Sequence, residues 1–265
     1  HIMQQVRANR IDLLYAAPET LLRPEILQLL DDASVDCLAI DEAHCISEWG
    51  HDFRPEYRQL GDVRRRLPHA VCLALTATAT QRVRQDIRDN LGLADADEVV
   101  TSFNRENLFL AASDRHEGWA KLVTFLRAHR GQSGLLYCLT RADVDRITAD
   151  LQDMGLPAIP YHAGLDNDTR RRHHRRFTYE EDAIVVATIA FGMGINKSNV
   201  RFVVHYGMPK EIESYYQQIG RAGRDGLRAD CLLLYSQQDI LNANFHIGNM
   251  PPKLRAAANV RLRQM

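Results

Sequence analysis

Three short stretches of this chain gather reactive side chains. Asp41-Glu42-Ala43-His44 sets two carboxylates and an imidazole side by side, directly after the apolar run from 35 to 40. Adjacent carboxylates suit phosphoryl transfer: one holds Mg²⁺, commonly through water, and the other orients or deprotonates the attacking water. Asp41 takes the metal in this reading and Glu42 the water. A lone Asp-Glu pair serves equally well as a solvated loop after a strand, so the neighbours decide. The next residues, CISEWGHDFRPEY from Cys45 to Tyr57, interleave Trp49, Phe53 and Tyr57 with His51 and Arg54, and Pro55 restrains the backbone. Aromatic faces beside cations suit single-stranded nucleic acid, since bases stack on rings at about 1–3 kcal/mol each while Arg neutralises phosphate. Tyr57 alone reads as part of a small aromatic core. The third stretch, QQIGRAGRDG from Gln217 to Gly226, carries Arg221 and Arg224 three residues apart, expected on one helix face, with glycines that permit close approach. Guanidinium groups donate bidentately to phosphate and stabilise charge on a transferring γ-phosphoryl group. Arg224 is the first choice for such an arginine finger and Arg221 its partner.

AIDEAHCISEWGHDFRPEY resembles the DEAH-type Walker B motif of the RecQ helicase family joined to its aromatic-rich loop. DEAH-box RNA helicases share the four-residue box but do not continue with WGHDFRPEY. The rest of the chain fits the same family in order. Tyr15-Ala16-Ala17-Pro18-Glu19 resembles motif Ib, with Thr20 where Arg is expected, and Leu75-Thr76-Ala77-Thr78-Ala79-Thr80 resembles motif III, whose hydroxyls can hydrogen-bond the acidic box. Tyr137 to Arg141 and Tyr161-His162-Ala163-Gly164-Leu165 are similar to the motif IV region, Ala187 to Asn196 to motif V, and Gln217 to Gly226 to motif VI. The resemblance implies that Asp41, Glu42, Gln218, Arg221 and Arg224 form the catalytic set. It implies that Asp41, His44, Gly194, Arg221 and Arg224 hold ATP and Mg²⁺, and that Trp49, His51, Phe53, Arg54, Thr76, Thr78, Tyr137, His162 and Thr188 meet DNA. Gly192 and Gly194 let backbone N–H groups approach phosphate.

The implied activity is an ATP-dependent 3′–5′ DNA helicase acting on single-stranded and partially duplex DNA in recombination and repair. Its compartment is the bacterial cytoplasm (nucleoid) or the eukaryotic nucleus. Zn²⁺ is expected only in a family module beyond residue 265. Two other readings stay open: a nucleic-acid-binding module without catalysis, and an RNA helicase.

The elements that must position these residues are strands and crossover helices. Apolar runs at 11–17, 35–40 and 71–77, then GLLYCL, AIVVATIAF, VRFVVHY and CLLLYS, alternate with amphipathic stretches. Continuous Val/Ile/Leu runs are strands buried on both faces, so the fold class is α/β, with parallel sheets flanked by helices; the resemblance implies two RecA-like lobes, the first incomplete. From Gly134 a βαβ unit is marked by Thr140 as N-cap, Val144, Ile147 and Leu151 as the apolar face, and Gly155 at the C-cap. Residues 1–110 are expected to form the first lobe, 111–238 the second, and 239–265 the truncated start of a C-terminal region. The basic run Arg170 to Arg176 points all round a helix axis and reads as a solvated face.

Composition narrows the class without selecting a partner. In 265 residues, 45% are hydrophobic and 25% charged, and the net charge of −1 announces no global positive field. Five scattered cysteines lack zinc spacing, and no apolar run reaches the roughly 20 residues that span a bilayer. The protein is expected to be neither secreted nor membrane-bound. No Gly is followed by Lys, so GxxxxGK[ST] is absent, and the chain alone is expected to hydrolyse ATP poorly or not at all.

Overall fold

The computed structural model describes residues 2–50, 52–102, 104–188, 191 and 196–241. The chain divides into two compact units, His1–Val100 and Thr101–Met265. In the first, α1 (Ile2–Arg7), α2 (Pro18–Leu21) and α3 (Pro24–Asp32) precede β1 (Cys37–Ile40) and a 3-10 turn (Ala43–Ile46). Then come α4 (Pro55–Arg58), α5 (Leu60–Arg66), β2 (Val71–Ala74) and α6 (Gln81–Leu91). β1 and β2 pair in parallel, with Cys37 opposite Val71 and Ile40 opposite Ala74. Ile40, Ala43, Ile46, Leu60, Val63, Val83 and Ile87 form the core, and Tyr57 packs against it, as expected of that ring.

The second unit contains β3 (Leu108–Asp114), α7 (Gly118–Ala128), β4 (Gly134–Cys138), α8 (Arg141–Asp153), β5 (Ala158–Tyr161) and α9 (Asn167–Tyr179). It continues with β6 (Ile184–Ala187), β7 (Phe202–Tyr206), α10 (Ile212–Ile219) and β8 (Ala229–Tyr235). Six strands form one parallel sheet in the order β3-β8-β7-β4-β6-β5. Alternation along each strand divides the core into two layers. Leu135, Tyr137, Val185 and Val203 pack on one face with Phe177 of α9 and Ile219 of α10. Leu136, Cys138, Val186 and Val204 pack on the other with Leu122 of α7 and Ile147 of α8.

The βαβ unit follows its local signals. Thr140 Oγ1 accepts the Asp143 N–H at 3.1 Å, and Gly155 adopts a φ of +73° just past α8. Three expectations fare differently. Residues 11–17 form no strand, and Leu13, Leu14 and Tyr15 stand exposed, because an apolar run becomes a strand only with a neighbour to pair with. β3, which the sequence reading passed over, is an edge strand whose exposed positions hide it from a search for continuous apolar runs. Residue 110, near which the reading placed the domain boundary, lies inside β3, whereas the units divide between 100 and 101.

Candidate functional site

In the first unit the site is built at the carboxyl end of β1. Leu75 N–H donates to Ile40 O and Ala43 N–H to Leu75 O, both at 2.9 Å, so the stretch after β2 runs alongside the acidic box. Asp41 and Glu42 are exposed there. Asp41 Oδ1 accepts the Glu42 N–H at 2.9 Å, which fixes a hard oxygen donor at the strand end in a place that fits hydrated Mg²⁺. Glu42 itself adopts the left-handed conformation (φ 51°, ψ 40°), unusual for a residue with a Cβ, and turns the chain sharply into the 3-10 turn.

His44, only 2% exposed, anchors this corner. Its Nδ1 lies 3.0 Å from Thr76 Oγ1 and 3.3 Å from Glu42 Oε2. The expected hydrogen bond between a motif III hydroxyl and the acidic box therefore exists, and Thr76 makes it. Thr78 is buried, and its hydroxyl has no hydrogen-bond partner among the described residues. The aromatic loop closes onto the same corner. Arg54 N–H donates to Cys45 O at 3.0 Å, and a Cβ at Gly50 would collide with the His44 carbonyl oxygen. Trp49 is 51% exposed and Phe53 37%. Arg82 of α6 stacks on Trp49 at 3.3 Å from the ring centroid, and Asp52 holds the Arg54 guanidinium at 2.7 Å. His51 lies outside the described residues. Burial pushes the Cys45 thiol up to about 12, helped by nearby Asp52, so it stays a neutral packing group.

The second unit gathers its polar residues beneath the segment that follows α10. The two arginines do not share a helix face: α10 ends at Ile219, Gly220 caps it, and Gly223 (φ 56°) and Gly226 (φ 81°) turn the chain, leaving Arg221 and Arg224 on a turn. Burial, then the adjacent charges of Arg221 and Arg105, push the Arg224 pKa down. Any anion arriving there relieves that repulsion. Tyr137 is buried beside them. Its hydroxyl donates to Phe191 O at 3.0 Å and takes a hydrogen bond from Arg221, while burial raises it to about 12.

Gln218, expected in the catalytic set, is 6% exposed, and its Oε1 lies 2.7 Å from Nε2 of buried His205. His205 also stacks on Tyr137 at 5.3 Å between centroids. Burial lowers the His205 pKa to about 4, so the ring is neutral. His162 is 5% exposed and fully engaged: Nε2 meets Asp145 Oδ1 at 3.0 Å, and Nδ1 accepts the Gly164 N–H at 3.1 Å. Thr188 is half-buried, and its N–H donates to Tyr161 O at 3.3 Å. Gly192 and Gly194 lie outside the described residues.

Tyr137, Gln218, Arg221 and Arg224 are thus brought together, whereas His162 stands apart on its own hydrogen bonds. Sequence reasoning missed Arg105 and Asn107, whose side chains bond the backbone of the arginine turn. Of the basic run on α9, Arg171, Arg172, Arg175 and Arg176 are exposed, whereas Arg170, His173 and His174 are half-buried. Among the described residues no group of three His, Cys, Asp or Glu gathers to hold a metal, and no helix is long and apolar enough to cross a membrane.

Comparison with known proteins places this geometry. Residues 1–87 match the family described as DEAD/DEAH box helicase, and residues 117–226 match the helicase conserved C-terminal domain. The chain is 45% identical over 238 residues to the ATP-dependent DNA helicase RecQ of Pasteurella multocida, covering 90% of this chain and 38% of that protein. It is 43% identical to the Bacillus subtilis protein of the same name, covering 96% of this chain and 43% of the relative. For mouse ATP-dependent DNA helicase Q1 the identity is 40%, over 91% of this chain and 38% of the relative. The chain thus spans about two fifths of the length of the curated relatives it matches. Among solved structures, Mycobacterium smegmatis helicase Lhr bound to ssDNA and AMP-PNP superposes with a TM-score of 0.67 at 19% identity, over 93% of this chain and 35% of that one. Yeast Dbp5 bound to RNA and ADP BeF3 gives 0.63 at 17%, over 93% of this chain and 68% of that one. These two share the RecA-like fold. With helicase matches in both units and RecQ relatives in bacteria and mouse at 40–45% identity over 90% or more of its own length, the chain is similar to the RecQ helicases throughout.

Proposed function

We propose that this chain carries the working parts of an ATP-dependent DNA helicase that moves 3′ to 5′ on single-stranded DNA and opens duplexes in recombination and repair. The observation that carries the reading is the corner at His44. One buried imidazole touches both the Glu42 carboxylate and the Thr76 hydroxyl, and the same backbone receives the aromatic loop through Cys45 O and Gly50. A shift of that loop by a stacked base reaches the carboxylate through two contacts. The relatives' names agree, each being an ATP-dependent DNA helicase.

Mg-ATP, when bound, supplies the γ-phosphoryl group and the cation that offsets its charge. Asp41 would hold the hydrated ion and Glu42 would orient water. Arg224, with Arg221 beside it, would neutralise charge on phosphoryl oxygens. Trp49 and Phe53 offer stacking faces to bases, and Arg54 a phosphate contact once released from Asp52. The sequence holds no GxxxxGK[ST], so the 265 residues alone are expected to turn over ATP poorly.

The test is ATP turnover, with and without single-stranded DNA, on the protein as its gene encodes it. Strong DNA stimulation is expected. Glu42→Gln should lower kcat by about 10²–10⁴-fold, in the range of general-base losses. Arg224→Ala should lower it by about 10³–10⁵-fold, as for arginine fingers. DNA binding without turnover would leave a binding module, and equal stimulation by RNA would turn the reading to an RNA helicase.

A further inference from the structure

The segment just after the division between units does more than begin β3. Arg105 Nη1 donates to Gly220 O at 3.0 Å and Nη2 to Gly223 O at 2.6 Å. Asn107 Nδ2 donates to the same Gly223 O at 2.9 Å and to Leu227 O at 2.8 Å. Two side chains from one short stretch thus satisfy three carbonyls of the turn that displays Arg221 and Arg224.

The turn needs them for a physical reason. The helix has ended at Ile219, so these carbonyls have no helical ladder to accept into. Gly223 carries a positive φ, and a Cβ there would lie 2.5 Å from Asn107 Nδ2 and 2.7 Å from Leu227 O. The turn is therefore shaped around the Asn107 amide. Hydrogen bonds from a charged donor are roughly twice as strong as neutral ones, which suits Arg105 to fixing the near end of the turn.

We propose that Arg105 and Asn107 are positioning residues for the arginine turn: by holding the Gly220, Gly223 and Leu227 carbonyls they set where Arg221 and Arg224 meet the transferring phosphoryl group, and they touch no substrate themselves. The proposal rests on the arginine-finger reading given above. A misplacement of about 1 Å in such a group costs about 10²-fold in rate, whereas binding of the nucleoside diphosphate does not depend on it.

The experiment uses the gene-encoded protein with Asn107→Ala and Arg105→Lys, the second keeping the charge and losing the forked donation. It measures kcat and KM for DNA-stimulated ATP turnover, affinity for ADP alone and for ADP with aluminium fluoride, and thermal melting. Expected are a kcat loss of about 10- to 100-fold, KM and ADP affinity within about twofold, and loss of the fluoride-enhanced affinity by the same factor as kcat. If Asn107→Ala does not fold, Arg105→Lys decides alone. Unchanged kcat and fluoride affinity in both variants, where Arg224→Ala abolishes turnover, would overturn the positioning role and leave the finger standing. Equal losses in ADP affinity, fluoride affinity and melting would mark the pair as a fold staple and overturn it too. Full turnover in Arg224→Ala would remove the finger reading and this proposal with it.

Discussion

His44 is the residue on which the acidic box turns. It is buried to 2%, and its Nδ1 is shared between Thr76 at 3.0 Å and Glu42 at 3.3 Å. Thr76→Val removes one partner of a buried ring, at a cost of about 1 kcal/mol in stability. Because the hydroxyl ties the stretch after β2 to the box, the same change should lower DNA-stimulated ATP turnover about tenfold, a 1.4 kcal/mol effect, with ATP affinity kept. Turnover at saturating single-stranded DNA measures this, and full stimulation in the variant would refute the link. Gly50 tests the other side of the corner. A methyl group there meets the His44 carbonyl oxygen, so Gly50→Ala should destabilise the first unit by about 1–3 kcal/mol, the range for an overpacked site. Urea unfolding followed through Trp49 fluorescence reads it directly. The place of Asp41 and Glu42 at a strand end and the hydroxyl bond to the acidic box were legible in the sequence because strand-end chemistry is local. The left-handed backbone at Glu42 was not, since nothing in DEAH spells a positive φ.

Among the elements, β4 and α8 were legible from end to end. Gly134 to Cys138 is apolar throughout and buried throughout, and Thr140 caps the helix that follows. The element carrying the arginines was read too long, because Gln217 to Arg224 continues a helical pattern until Gly220, Gly223 and Gly226 break it. Gln218, expected in the catalytic set, is held on the inner side of α10 by His205 of β7. Arg105 and Asn107 had no signature at all, since their partners are backbone carbonyls more than a hundred residues away. The β7–α10 pair also has a pH signature. The His205 pKa of about 4 in the fold lies below its ordinary 6.5, so protons bind the unfolded chain first. The stability it contributes is whole above pH 6.5 and drains away as the pH falls toward 4. Between pH 7 and pH 5 that amounts to about 2 kcal/mol. His205→Asn should shrink the pH dependence of the second unit's urea midpoint by that amount, and an unchanged dependence would exclude His205 as its source.

At the scale of the molecule, each unit has a core of its own. Phe177 lies fully buried where α9 meets the sheet, and Phe177→Ala should cost the second unit about 3–5 kcal/mol. Hydrogen exchange should report faster opening in β4 and β6 while protection in α6 of the first unit stays as it was. Loss of protection in both would mean that the two cores fold as one. The sheet order has a further consequence. β3 is the first described strand of the second unit, and its sheet neighbour is the last described, β8; Asn107 and Leu227, which bond at the head of this pairing, are 120 residues apart in sequence. On the ribosome, then, β3 leaves the exit tunnel long before its neighbour exists and waits unpaired while β4 to β7 assemble. The closure that seats it is the longest loop in the sheet and the slowest to form. The turn bearing Arg221 and Arg224 is bolted down by that same closure, so a nascent chain of this sequence acquires its arginine machinery only once β8 is in place.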